Sequence, residues 1–199
     1  SARLARTIAL MSDDLKGDLT PDAMLHYWKR EYDSARKMTL LARVWSLSGV
    51  GRNGHGGIKD VWNGNISIEE QRARLAVRRY PGNAPPMRAL PLGFLPDSLL
   101  VPLAIANADA THPHPKARAA SLLMALCGRY RIVEQQPSRF MIPYLITELR
   151  RHTIGSPRLH DDEFIPYLEA VEHLPAPGHI DLERVFPYGM ARDYDRIFP

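Results

Sequence analysis

Apolar positions along the chain recur at helical spacing and nowhere settle into alternation. Leu4, Ile8 and Met11 share one face of an opening helix. Thr20-Pro21-Asp22 predicts a second start, with Thr20 as N-cap, proline in the first helical position and an acid in the first turn. From there Met24, Trp28, Ala35, Met38, Ala42 and Trp45 define one buried stripe on a long helix or a helix pair. Ser67-Ile68-Glu69-Glu70 has the capping-box pattern and opens an arginine-rich helix that runs to Arg79. A helix from Asp97 or Ser98 through Ala108 tolerates Pro102 near its start, and Lys116 to Tyr130 carries Leu122, Leu123 and Leu126 on its apolar face. Ser138 is expected to cap a helix bearing Phe140, Tyr144, Leu145 and Leu149, closed by Gly155. Phe164, Tyr167, Leu168 and Val171 mark another, stopped by Pro175 and Pro177, and Asp181 begins a last one through Val185 and Met190. With no internal repeat and no low-complexity tract, the pattern predicts an all-α chain, a compact single-domain helical bundle over residues 1–199.

Composition adds limits to that picture. A chain of 199 residues with 45% hydrophobic content suffices for one substantial core. The net charge of +4 comes mostly from arginine and favours anionic partners: nucleotides, nucleic acid or an acidic protein face. Because the basic residues are spread out, with Arg78-Arg79 and Arg150-Arg151 the densest pairs, a dedicated nucleic-acid stripe is not indicated. The single cysteine, Cys127, excludes an intrachain disulfide framework and is expected as a buried structural thiol. No apolar run is long enough to span a bilayer and no signal-peptide pattern opens the chain, so the expectation is a cytoplasmic protein without a membrane partner.

Candidate chemistry is concentrated in Tyr80 to Arg118. Tyr80-Pro81 ends the preceding helix, and Gly82-Asn83 suits the left-handed conformations of a tight turn. Pro85 and Pro86 fit the approach to a helix or its first turn, with Met87 and Arg88 just inside. Such a turn aims backbone N–H groups and the positive helix end at one small volume, and Arg88 adds a fork of donors that suits a phosphate or carboxylate. Read alone, the same residues also fit a plain loop followed by a solvated arginine.

Further on, Thr111-His112-Pro113-His114-Pro115 is a proline-stiffened corner that opens the next helix. Alternating histidines on an extended segment point to opposite sides and lack a carboxylate or cysteine, which argues against a shared metal. A ring that stacks on or bonds a ligand, or a capping histidine, are the readings left open. Elsewhere, Ser12-Asp13-Asp14 and His160-Asp161-Asp162-Glu163 are better read as a loop and as acids at a helix start than as metal ligands. The glycine-rich Gly49 to Gly57 lacks the strand and third glycine of a dinucleotide fingerprint and is a linker or a surface loop over a site.

The order Gly82-Asn83-x-x-x-Met87-Arg88, then Pro91-Leu92-Gly93, then Thr111-His112-Pro113-His114-Pro115 resembles the middle of the ADP-ribosylglycohydrolase family. That group takes in the dinitrogenase-reductase-activating glycohydrolases, the ADP-ribosylhydrolases and the J1 crystallins. The resemblance implies an all-α fold in which Gly82, Asn83, Ala84 and Arg88 cradle the ribose and pyrophosphate of ADP-ribose, with His112 beside the sugar. It implies as partner ADP-ribose or an ADP-ribosylated protein, and as activity hydrolysis of the glycosidic bond to a side chain or small acceptor. The alternative is an inactive relative that serves as a binding or interaction module. Two Mg²⁺ ions are implied as cofactors, held in the family by Thr-Asp-Asp-Thr and Gly-Asp-x-Asp-Thr motifs. Neither motif occurs in this chain, and Ala84-Pro85-Pro86 replaces the family's second glycine and small residues. Since the first motif lies just before a helix like that of Leu4 and Ile8, the chain is expected to be truncated at both ends relative to the family domain.

Overall fold

A computed structural model describes residues 20–36, 57–79, 81–154, 156–159 and 164–172. The expectations for Leu4 to Met11, Ser12-Asp13-Asp14, Met38 to Trp45, most of Gly49 to Gly57, Tyr80, Gly155, His160 to Glu163 and everything from Pro175 onward lie outside those residues. The described residues form eight α-helices and contain no strand. In chain order these are α1 (Pro21–Arg36), α2 (Gly57–Trp62), α3 (Ile68–Ala76), α4 (Ala84–Ala89), α5 (Asp97–Asp109), α6 (Pro115–Gly128), α7 (Met141–Thr153) and α8 (Phe164–Glu172). Short 3-10 turns span Leu90–Phe94 and Ser138–Phe140, and a π turn spans Arg129–Val133.

Local chemistry accounts for the starts. The Thr20 hydroxyl accepts from the Ala23 N–H at 3.2 Å, and the Ser67 hydroxyl accepts from the Glu70 N–H at 3.0 Å. Each cap satisfies one of the orphan donors of a helix N-terminus and is worth about 1 kcal/mol. Three expectations are corrected. The helix that Ser67 opens ends at Ala76, short of Arg79, and Ser138 starts a 3-10 turn without making a side-chain cap. Phe140 is half exposed and lies off the apolar face predicted for it.

The centre of the fold is α6, which packs against α4, the Leu90–Phe94 turn, α5 and α7. Leu122, Ala125 and Leu126 of α6 meet Leu100, Leu103 and Ala104 of α5 and Leu145 and Leu149 of α7, all buried. From the other side α1 brings Met24 and Tyr27 onto α5. Residues 103 to 110 are buried without interruption, as expected of a helix enclosed by neighbours on all sides. Each fully buried leucine contributes about 2 kcal/mol of apolar burial, so this cluster is the main source of stability.

One contact sets how closely the Leu90–Phe94 turn approaches α6. A Cβ on Gly93 would lie 2.5 Å from the Ala125 carbonyl oxygen and 2.5 Å from the Arg129 nitrogen. A Cβ on Gly128 would lie 2.7 Å from the Leu90 carbonyl oxygen. The two backbones therefore touch through a pair of glycines, and Arg129 closes the joint by donating from Nε to the Gly93 carbonyl at 3.2 Å. This is the physical reason for the glycine in Pro91-Leu92-Gly93.

Candidate functional site

The Gly82 bend and the His112 corner are brought together. Gly82 has φ +92°, a left-handed conformation that favours glycine, and a Cβ placed on it would stand 3.6 Å from Nε2 of His112. Asn83 departs from expectation: its φ is −101°, ordinary for any residue, and it stands at the N-cap of α4 without a side-chain capping bond. Both Gly82 and Asn83 are exposed, whereas His112 is fully buried. Ala84, Pro85 and Pro86 form the first turn of α4. Prolines suit that turn because its N–H groups have no intrahelical partner, but they leave Ala84 as the only one of the three able to donate.

The two histidines of the corner point to opposite sides of the segment. His114 is the N-cap of α6, its Nδ1 accepting from the Lys116 N–H at 3.1 Å. The ring of His112 turns the opposite way into the interior, with Nδ1 2.7 Å from the Thr111 hydroxyl.

Arg88 departs from both expectations, a donor fork beside the loop and a solvated arginine. It is only 8% exposed, and its guanidinium points inward. Nε donates to Oδ1 of Asn107 at 2.6 Å, and Nη2 donates to the Asn107 carbonyl at 2.6 Å and to the Thr111 hydroxyl at 2.7 Å. The Trp28 ring covers the group, with 4.3 Å between Cζ and the ring centroid. Arg88 lies on the face of α4 turned toward α5, where its side chain meets Asn107. Burial pulls the Arg88 pKa from 12.5 down to about 9, which leaves it charged at neutral pH.

Asn107, which the sequence reading did not single out, is the hub of this network. Its amide nitrogen donates to the Pro85 carbonyl at 3.0 Å and to the Ser121 hydroxyl at 2.8 Å. Asn107, Ser121 and His112 are fully buried, and the bonds among them tie α4, α5, α6 and the corner into one unit. Hydrogen bonds of this kind are what makes so many interior polar groups tolerable. A signal was present in the sequence: Asn107, Asp109 and Thr111 interrupt an otherwise apolar run at every second position. Asp109 is fully engaged by arginine, with Arg118 Nε on one oxygen and Arg158 Nη2 on the other, both at 2.6 Å.

A family model described as ADP-ribosylglycohydrolase matches residues 3–192, nearly the whole chain. The chain belongs to the ADP-ribosylglycohydrolase family. Its all-α described fold agrees with that membership. No curated protein and no solved structure matches the chain. A glycohydrolase-like function is thereby supported at the level of the family.

The two implied Mg²⁺ ions need several carboxylate oxygens converging on one point. Among the described residues no group of three or more His, Cys, Asp or Glu is placed to hold an ion, and both oxygens of Asp109 are occupied. The described residues do not fit that cofactor. Also among them, no helix is long and apolar enough to cross a membrane.

Proposed function

We propose that this ADP-ribosylglycohydrolase-family chain binds the ADP-ribosyl group of a modified protein or small acceptor on the bend of Gly82, Asn83 and Ala84, beside His112. The observation that supports the reading is the His112 ring beside the bend, its Nε2 3.6 Å from where a Cβ on Gly82 would stand, next to the bend's own backbone N–H groups. Donors gathered in that way match a diphosphate and ribose hydroxyls. Arg88 supports this site from within, through Thr111, and does not itself reach the ligand. The reaction is hydrolysis of the glycosidic bond: water adds to the anomeric carbon of the ribose, and the acceptor leaves with a proton. A cytoplasmic setting belongs to the same reading, in keeping with a single cysteine.

A second reading, a binding module without hydrolysis, is favoured by the state of Asp109. This buried carboxylate two residues from Thr111 is held on both oxygens by arginines, which leaves it unsuited to activate water. Calorimetry with ADP-ribose, with and without Mg²⁺, tests both readings alongside a release assay on ADP-ribosylated protein. Mg²⁺-dependent release supports the hydrolase, and Mg²⁺-indifferent binding without release supports the module. No heat with ADP-ribose under either condition defeats both. Gly82→Val is expected to weaken binding at least tenfold, because it removes the left-handed bend.

A further inference from the structure

We infer that Arg88 and Thr111 hold the His112 ring as the tautomer protonated on Nε2, so that the ring presents a hydrogen-bond donor at the Gly82 bend. The Thr111 hydroxyl has one proton to give and lies in a buried setting. Its oxygen has two side-chain partners among the described residues, Arg88 Nη2 at 2.7 Å and His112 Nδ1 at 2.7 Å. A guanidinium only donates, so that bond uses a lone pair of the hydroxyl oxygen. The hydroxyl proton is left with Nδ1 as its acceptor. Nδ1 is therefore bare, and in the neutral ring the proton sits on Nε2, the atom 3.6 Å from the Cβ position of Gly82. The opposite tautomer would aim two donors at one oxygen and leave the buried hydroxyl proton without an acceptor, a loss that buried polar groups avoid.

The consequence is directional. A ring nitrogen that carries its proton is a donor; it neither ligates a metal nor accepts a proton from water. Arg88 is then a positioning residue that acts through Thr111. The use of this donor toward ADP-ribose rests on the function proposed above, whereas the tautomer does not.

The test is a long-range proton–nitrogen correlation spectrum of the ¹⁵N-labelled full chain without ligand, with the His112 ring assigned. The expected result is a protonated Nε2 and a bare Nδ1 for His112, with no detectable population of the other form. Thr111→Ser should keep that pattern, while Thr111→Val, which removes the hydroxyl at nearly constant shape, should let the Nδ1-protonated form appear. A native ring protonated on Nδ1, or an unchanged pattern in folded Thr111→Val, overturns the inference. Should Thr111→Val not fold, the native spectrum decides alone. Saturation with ADP-ribose should then shift the Nε2 signal; binding without any shift overturns the donor role. An Nε2-protonated ring in a chain that does not bind ADP-ribose defeats the proposed function and leaves this inference standing.

Discussion

His112 Nε2 lies 3.6 Å from where a Cβ on Gly82 would stand, ordinary van der Waals contact. Space is therefore not what requires glycine there; the φ of +92° is. A side chain in a left-handed conformation costs about 1–2 kcal/mol. Gly82→Ala is expected to lose about that much stability, read as a lowered denaturant midpoint at unchanged m-value. A fully neutral result would mean that the bend relaxes to another turn without loss. The same variant should depress ADP-ribose binding by more than its stability cost alone explains, because the relaxed turn moves the donors away from His112.

Gly93 and Gly128 present the opposite case, where space decides. A methyl on Gly93 would meet one backbone atom of α6 and one of the π turn that follows it, each at 2.5 Å, and backbone cannot step aside as a side-chain tip can. Gly93→Ala should force the Leu90–Phe94 turn off α6 at a cost of about 3 kcal/mol, the upper range for overpacking. Gly128→Ala opens the same joint from the other side. The double variant should therefore cost less than the sum of the two singles, which a double-mutant cycle on thermal or urea unfolding measures.

This contrast marks what was legible in the chain and what was not. The caps at Thr20 and Ser67 and the bend at Gly82 were readable because their reasons are local: a hydroxyl three residues from an N–H, or a backbone angle. Gly93 was visible as part of a motif, but its partner Gly128 lies on a different element, so its role appeared only with the fold. The direction of Arg88 was misjudged for the same reason. A guanidinium at a helix start reads as solvent-facing until Asn107, Thr111 and Trp28 arrive from other helices. Polar residues spaced by two in an apolar helix were the available hint, since a buried polar group implies partners.

His152 makes stability respond to pH. Partial burial lowers its pKa below 6.5, and this outweighs the opposing pull of Glu148, whose carboxylate is 3.6 Å from Nε2. Because the folded pKa is depressed, the unfolded chain binds the proton more readily in the window just below 6.5. The contribution of this residue to stability is therefore complete above 6.5 and declines as pH falls through that window. Replacing it, as in His152→Gln, should flatten the slope of urea midpoint against pH between about 5 and 7, near the reference value of histidine. A slope identical to that of the native chain would locate the pH response elsewhere.

Asn107→Asp tests whether the buried arginine wants a charge partner or a fully matched neutral one. The substitution offers Arg88 a carboxylate at the position of Oδ1, now 2.6 Å from Nε, and on charge alone it should stabilise the core. The other oxygen, however, would replace the amide nitrogen that donates to the Pro85 carbonyl at 3.0 Å. Two acceptors would then face each other in the interior, while the Ser121 hydroxyl can rotate to donate in their place. A lost bond to a buried carbonyl costs about 1–3 kcal/mol, and desolvation of the new carboxylate adds to it. The net expectation is destabilisation of about 2 kcal/mol, measured by urea unfolding at neutral pH. Asn107→Leu, which also removes the acceptor of Arg88 Nε and leaves the Pro85 carbonyl and Ser121 hydroxyl without the amide, should cost more, about 3–5 kcal/mol. Were the aspartate variant the more stable of native and mutant, the unpaired cation and not the geometry of the amide would be what limits this network.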